Sequence, residues 1–194
     1  MTKVIDFYFD FISPYAFIAY KKLKSFNEKN YINICYKPIL LGGLHNLAGI
    51  TAPAFNERKM KNMKNDCELV AEKNDITFKW NNKFPINSLE LMRGYLIVNE
   101  ELKNKFFDLC FDAYWKYNID LSNKENIKDI LKKTSVDEVS YFKKIQNQET
   151  KDKLKQLTYE AFKKDIFGAP TFIVNNKIFW GQDRLEYALD EISD

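Results

Sequence analysis

Lys3-Val4-Ile5-Asp6-Phe7-Tyr8-Phe9-Asp10-Phe11-Ile12-Ser13-Pro14-Tyr15 carries the chain from an extended segment into a helix. From Lys3 to Phe9, Ile5, Phe7 and Phe9 alternate with Val4, Asp6 and Tyr8. Both sets are largely apolar and β-prone, so the stretch reads as a strand buried on two faces. Ser13 is a favoured N-cap, and Pro14 suits a first helical position because its missing N–H would be unpaired there anyway. A helix is therefore expected from Pro14, with Phe17, Ile18, Leu23 and Phe26 on its inner side, ending near Asn30. Tyr31 to Lys37 supplies a second strand.

Beyond Gly42 the period changes. Leu89, Met92, Leu96 and Ile97, then Phe106, Phe107, Leu109, Cys110 and Tyr114, then Ile127, Ile130 and Leu131 recur at helical spacing as far as about Lys164. Asn123 and Ser135 each stand as an N-cap before such a run, Ser135 with Glu138 as its capping-box partner. After Phe167-Gly168-Ala169-Pro170 the period of two returns in Thr171 to Val174. A turn at Asn175-Asn176 and a strand from Ile178 to Trp180 complete a hairpin. Asp183 is expected to cap a last helix with Leu185, Ala188, Leu189 and Ile192 on its inner face. Strand, helix, strand, helices, hairpin and helix is a thioredoxin-like order. It gives an α/β fold in which residues 1–41 and 165–194 form the thioredoxin-like domain and residues 42–164 an all-helical insertion.

Composition narrows the function. Thirty Lys and Arg face 27 Asp and Glu, a net charge of +3 spread along the chain, which gives no support to nucleic-acid binding. No apolar run approaches the roughly 20 residues needed to cross a bilayer. Asp6 and Asp10 interrupt the stretch after Lys3, so no secretory signal is read there and a cytoplasmic location is expected. Cys35, Cys67 and Cys110 are scattered at spacings that fit neither a redox pair nor a zinc site, and they read as reduced core thiols, with no metal expected.

In a thioredoxin-like order the reactive group sits where the first strand meets the first helix, because unpaired N–H groups there favour an anion. Here that turn is Ser13-Pro14-Tyr15-Ala16. Disulfide exchange needs a thiolate at Ser13 or Ala16, and neither is a cysteine. Ser13 either caps the helix only, or donates a hydrogen bond that keeps a visiting thiolate ionised. Pro170 either opens a strand in trans, or forms a cis bond that presents the backbone of Ala169 to an extended peptide-like ligand. Asp183 is either a cap or a carboxylate that grips an amino group while Gln182 and free N–H groups grip a carboxylate. The basic stretch Arg58, Lys59, Lys61 and Lys64 is a solvated face or an anion site. His45, in a glycine-flanked loop, reads as structural or exposed, and Cys110 as a small core residue.

Taken together, Phe9-Asp10-Phe11-Ile12-Ser13-Pro14-Tyr15, Phe84-Pro85-Ile86-Asn87-Ser88-Leu89 with Arg93, Phe167-Gly168-Ala169-Pro170-Thr171-Phe172 and Phe179-Trp180-Gly181-Gln182-Asp183-Arg184-Leu185 resemble the 2-hydroxychromene-2-carboxylate isomerase family. That family is similar to kappa-class glutathione transferases and, more distantly, to DsbA-type oxidoreductases. The resemblance implies glutathione as cofactor, with Ser13 catalytic and in contact with its sulfur. It implies Ala169 and cis-Pro170 against the cysteinyl backbone, Gln182 and Asp183 at the γ-glutamyl end and Lys59 near the glycyl end. Ile50 stands where many relatives carry an asparagine.

The implied reaction is isomerisation of a small aromatic carboxylate by reversible addition of the glutathione thiolate. Tyr15, Phe84, Asn87 and Arg93 are the substrate-binding candidates. A transferase that conjugates glutathione to electrophiles and a non-catalytic peptide-binding module are the competing readings. The kappa-class likeness implies a homodimer.

Overall fold

The computed structural model describes residues 3–30 and 32–193. Strand β1 (Val4–Phe9) runs into helix α1 (Pro14–Asn30), followed by β2 (Asn33–Pro38). Tyr31, the expected start of β2, lies outside the described residues. Ser13 does cap α1: its Oγ accepts the Ala16 N–H at 3.1 Å, with Pro14 in the first helical position. The hairpin forms where the period of two returned, as β3 (Thr171–Val174) and β4 (Lys177–Trp180). Asn175 and Asn176 take φ of 48° and 64°, the two positive values that a two-residue turn of this hand requires.

The strands make one mixed sheet in the order β2-β1-β3-β4, with β1 parallel to β2 and antiparallel to β3. Phe7 lies opposite Tyr36 on one side and Phe172 on the other, and the Phe7 and Phe172 rings stack at 5.2 Å. The two-faced apolar pattern of β1 is used on both faces. Ile5, Phe7 and Phe9 enter the main core, whereas Tyr8 packs on the other side with Ile39, Leu44, Ala161 and Ile166.

Between β2 and β3 lie α2 (Leu41–Ala48), α3 (Glu57–Lys73), α4 (Leu89–Ile97), α5 (Glu100–Trp115), α6 (Lys124–Thr134), α7 (Glu138–Lys144) and α8 (Gln148–Lys163). Phe106, Phe107, Cys110 and Phe111 occupy one face of α5 at helical spacing and meet β1 edge-on. The Phe9 and Phe107 centroids are 4.6 Å apart, and those of Phe11 and Phe111 are 5.0 Å apart. The Trp115 indole N–H donates to the Phe11 carbonyl at 2.9 Å, which ties the end of α5 to the turn before α1.

Residues 74–88 form no helix, in contrast to the helical reading of that region. They cross α5 as a strap whose Trp80 and Phe84 rings pack on Trp115 at 5.7 and 5.5 Å. Asn81 anchors the strap by donating to the carbonyls of Tyr114 and Ile119. Among the described residues, no helix is long and apolar enough to cross a membrane.

Two capping expectations are corrected. Asn123 caps α6 as expected, accepting the Glu125 N–H, but Ser135 terminates α6 instead of starting α7. Its φ of 58° turns the chain, and Asp137, two residues on, caps α7 by accepting the Ser140 N–H at 2.7 Å. Asp183 does not cap the last helix, α9 (Leu185–Ser193). It lies inside a 3₁₀ turn, Gln182–Arg184, that precedes α9, and its carboxylate pairs with Arg184 at 2.9 Å. The inner face of α9 is as expected, with Leu185, Ala188 and Leu189 buried.

Candidate active site

The turn at the start of α1 is held by a buried carboxylate. Asp10 has no exposed surface, and it accepts N–H bonds from Ile12 at 3.1 Å and from Leu41 at 2.8 Å, together with the Ser88 hydroxyl. One side chain thus fastens the α1 turn, the start of α2 and the start of α4 to the end of β1. Burial raises its pKa to about 6, the hydrogen bonds opposing that rise.

Above it, Ser13 uses both of its hydrogen-bonding capacities. Its oxygen takes the Ala16 N–H, and its single proton goes to the Ala169 carbonyl at 2.8 Å. The Ala169–Pro170 peptide is cis, which settles the two sequence alternatives against the trans strand start. The Ala169 N–H donates to no protein group among the described residues. A thiolate arriving at Ser13 would accept the hydrogen bond that the hydroxyl now donates to the Ala169 carbonyl. That carbonyl and the N–H beside it would then both be available to a ligand backbone.

Two adjoining cavities meet at this point, sharing Tyr15, Ala169 and Trp180 in their walls. The larger, about 660 Å³, has mainly apolar walls. It takes Ser13 from the cap of α1, Tyr15 from α1, Gly42, His45 and Asn46 from α2, Lys59 from α3, Phe84, Asn87 and Ser88 from the strap, and Phe167. The smaller, about 420 Å³, is walled by Asp66, Pro170, Gln182, Asp183 and Arg184. Trp180 packs against Phe167 at 4.8 Å, forming an aromatic partition where the two spaces join.

Nine of the ten candidate residues line these cavities. Arg93 lines neither: it sits on α4 with its Nε buried and without a hydrogen-bond partner among the described residues. Of the basic stretch only Lys59 reaches the cavity, while Lys64 lies along the helix beside Glu68. Burial, then the neighbouring Cys67 and the Asp66 and Asp183 carboxylates, push the Tyr15 phenol well up, so it is a neutral hydroxyl at any working pH. Cys67 and Cys110 are buried thiols whose pKa burial also raises, whereas Cys35 is half-buried on β2.

The sequence alone points to no role for Asp10, Asp66 or Trp180, and it reads His45 as structural or exposed. A carboxylate flanked by Phe9 and Phe11 at the end of an apolar strand was a usable signal for Asp10. The other three are defined by neighbours remote in the chain.

A thioredoxin fold whose α1 turn carries a serine beside a cis-proline, at the mouth of an apolar cavity, is a variant of that fold with no cysteine at the turn. The chain belongs to the DsbA-like thioredoxin domain family, whose model matches residues 4–193. It is 27% identical over 189 residues to a 2-hydroxychromene-2-carboxylate isomerase of Sphingobium xenophagum, spanning 96% of each chain. It is 23% identical over 201 residues to glutathione S-transferase kappa 1 of Homo sapiens, spanning 96% of this chain and 89% of the relative. A solved 2-hydroxychromene-2-carboxylate isomerase structure superposes with a TM-score of 0.90 at 21% identity, over 98% of this chain and 94% of that one.

Proposed function

We propose that the protein is a glutathione-dependent isomerase acting on 2-hydroxychromene-2-carboxylate or a similar flat aromatic keto acid. The observation that carries this reading is the Ser13 hydroxyl, poised at a helix N-terminus beside an Ala169 N–H that has no partner among the described residues, on a turn that has no cysteine of its own. The reactive sulfur then belongs to the tripeptide, and Ser13 and the helix end favour its thiolate.

The smaller cavity suits the γ-glutamyl end. Asp66 and Asp183 offer two carboxylates to its ammonium, and Gln182 a polar amide to its carboxylate. Ala169 and Pro170 face the cysteinyl backbone, and Lys59 the glycyl carboxylate. The larger cavity, with Tyr15, Phe84 and Asn87 in its wall, takes the aromatic substrate. Arg93 is not part of this assignment. Thiolate adds to the conjugated double bond, the resulting single bond rotates, and elimination restores both the double bond and free glutathione.

The likeness to the kappa-class enzyme supports a second reading, in which the adduct is released as a thioether. Following the substrate spectrum and free thiol together separates the two. Isomerisation changes the spectrum at constant thiol, while transfer consumes thiol stoichiometrically. No spectral change, together with no rise in melting temperature at millimolar glutathione, refutes both and leaves a binding module.

A further inference from the structure

His45 is the one histidine in the sequence. It lies on α2, where Leu41, Gly42, His45 and Asn46 share the face turned to the larger cavity, while Leu44 is buried on the opposite side. Ser13, Asn87 and Lys59 line the same space. Among the described residues that wall contains no carboxylate, and its other titratable groups are Tyr15 from α1 and Lys59 from α3. Asp10 is behind the wall, spent on Leu41, Ile12 and Ser88. The Tyr15 phenol holds its proton too tightly to serve as a base, and Lys59 supplies a positive charge. Half-burial lowers the pKa of His45, so its ring is neutral at pH 7, with one nitrogen free to accept and the other able to donate.

We propose that His45 is a catalytic acid–base residue that moves the proton when the substrate's hemiketal ring opens and closes. This rests on the isomerase reading and adds a step that the thiolate cannot perform. In opening, the imidazole takes the proton of the carbinol hydroxyl, the C=O bond forms, and the bond from that carbon to the ring oxygen breaks with its electron pair on oxygen. The imidazolium then protonates that phenolate. One proton enters and one leaves, and closure runs the same path backwards. Rotation about the former double bond needs the thiolate alone.

The test compares two substrates in the presence of glutathione: a benzylidene keto acid with an ortho hydroxyl, which can close to the chromene, and its analogue without that hydroxyl, which can only isomerise. Rates of His45→Gln and His45→Asn are taken relative to wild type, with folding checked by circular dichroism. The expected result is that the ratio of ring closure to analogue isomerisation falls about 10²-fold in both variants. Equal losses on the two substrates, or no loss on either, would overturn the assignment of His45 while leaving the isomerase reading intact. Wild-type protein inert on both substrates would overturn the isomerase reading and this inference with it.

Discussion

Replacing Ser13 by alanine removes two hydrogen bonds at once, and the structure sets the size of the effect. The Ala16 N–H loses its cap, which costs about 1 kcal/mol at a typical helix start. The Ala169 carbonyl loses its donor. Because that carbonyl borders a cavity water can enter, its penalty belongs at the low end of the range for an unsatisfied group, about 1 kcal/mol. The Ser13→Ala protein is therefore expected to be less stable than wild type by about 2 kcal/mol. At a urea m-value of about 2 kcal/mol/M, the unfolding midpoint should drop by about 1 M with m unchanged. Ser13→Thr, which keeps the hydroxyl, should recover most of the loss. Equilibrium urea unfolding without glutathione, followed by circular dichroism, is the assay. A midpoint shift below about 0.25 M would mean that neither bond holds in solution, and the switch of hydrogen-bond partner at Ser13 would go with it.

Two further outcomes follow from buried groups. Asp10 has its folded pKa raised from 3.8 to about 6, so its contribution to stability is fully present below the unfolded value and is lost as pH rises through 6. Relative to Asp10→Asn, wild type should gain about 2 kcal/mol of unfolding free energy between pH 7.5 and 4.5, measured by urea titration. A gap that is flat or of opposite sign refutes this. At Gly94 an added Cβ would sit 2.0 Å from the hydroxyl of Tyr141, which is buried and donates to the Glu90 carbonyl. Gly94→Ala should cost roughly 3 kcal/mol in thermal unfolding. Adding Tyr141→Phe should return part of it, and an undiminished cost in the phenylalanine background would show that the hydroxyl is not the obstacle.

The parts of this fold that were legible in sequence are those decided locally. β1, α1 and the final hairpin are written in short-range periodicity, in the Ser13-Pro14 pair and in the Asn175-Asn176 turn. Ser135 and Asp137 are both competent caps two residues apart. Which of them starts α7 depends on where the chain turns out of α6, a matter of packing on α5 and not of propensity. Asp183 is not the cap of α9 for a related reason, since the chain inserts a 3₁₀ turn before that helix. The region from Asn74 to Ser88 carries apolar residues in plenty, but they follow the outline of Trp115 instead of a helical period.

At the site, Ser13, Ala169, Pro170 and Gln182 stood out because each sits at a junction between elements. His45 and Asp66 did not, because their meaning comes from residues up to a hundred or more positions away. Arg93 is singled out by the family resemblance and by its positive charge, but its helix carries it away from the cavity wall.

The aromatic partition gives the molecule a built-in optical gauge. Of the three tryptophans, Trp115 is wholly enclosed and Trp80 leans on it, whereas Trp180 is about half exposed and borders both chambers. Emission that changes when either chamber fills should therefore come from Trp180 above all. With Trp180→Phe as the blank, a simple fluorescence titration would report ligand arrival without any label.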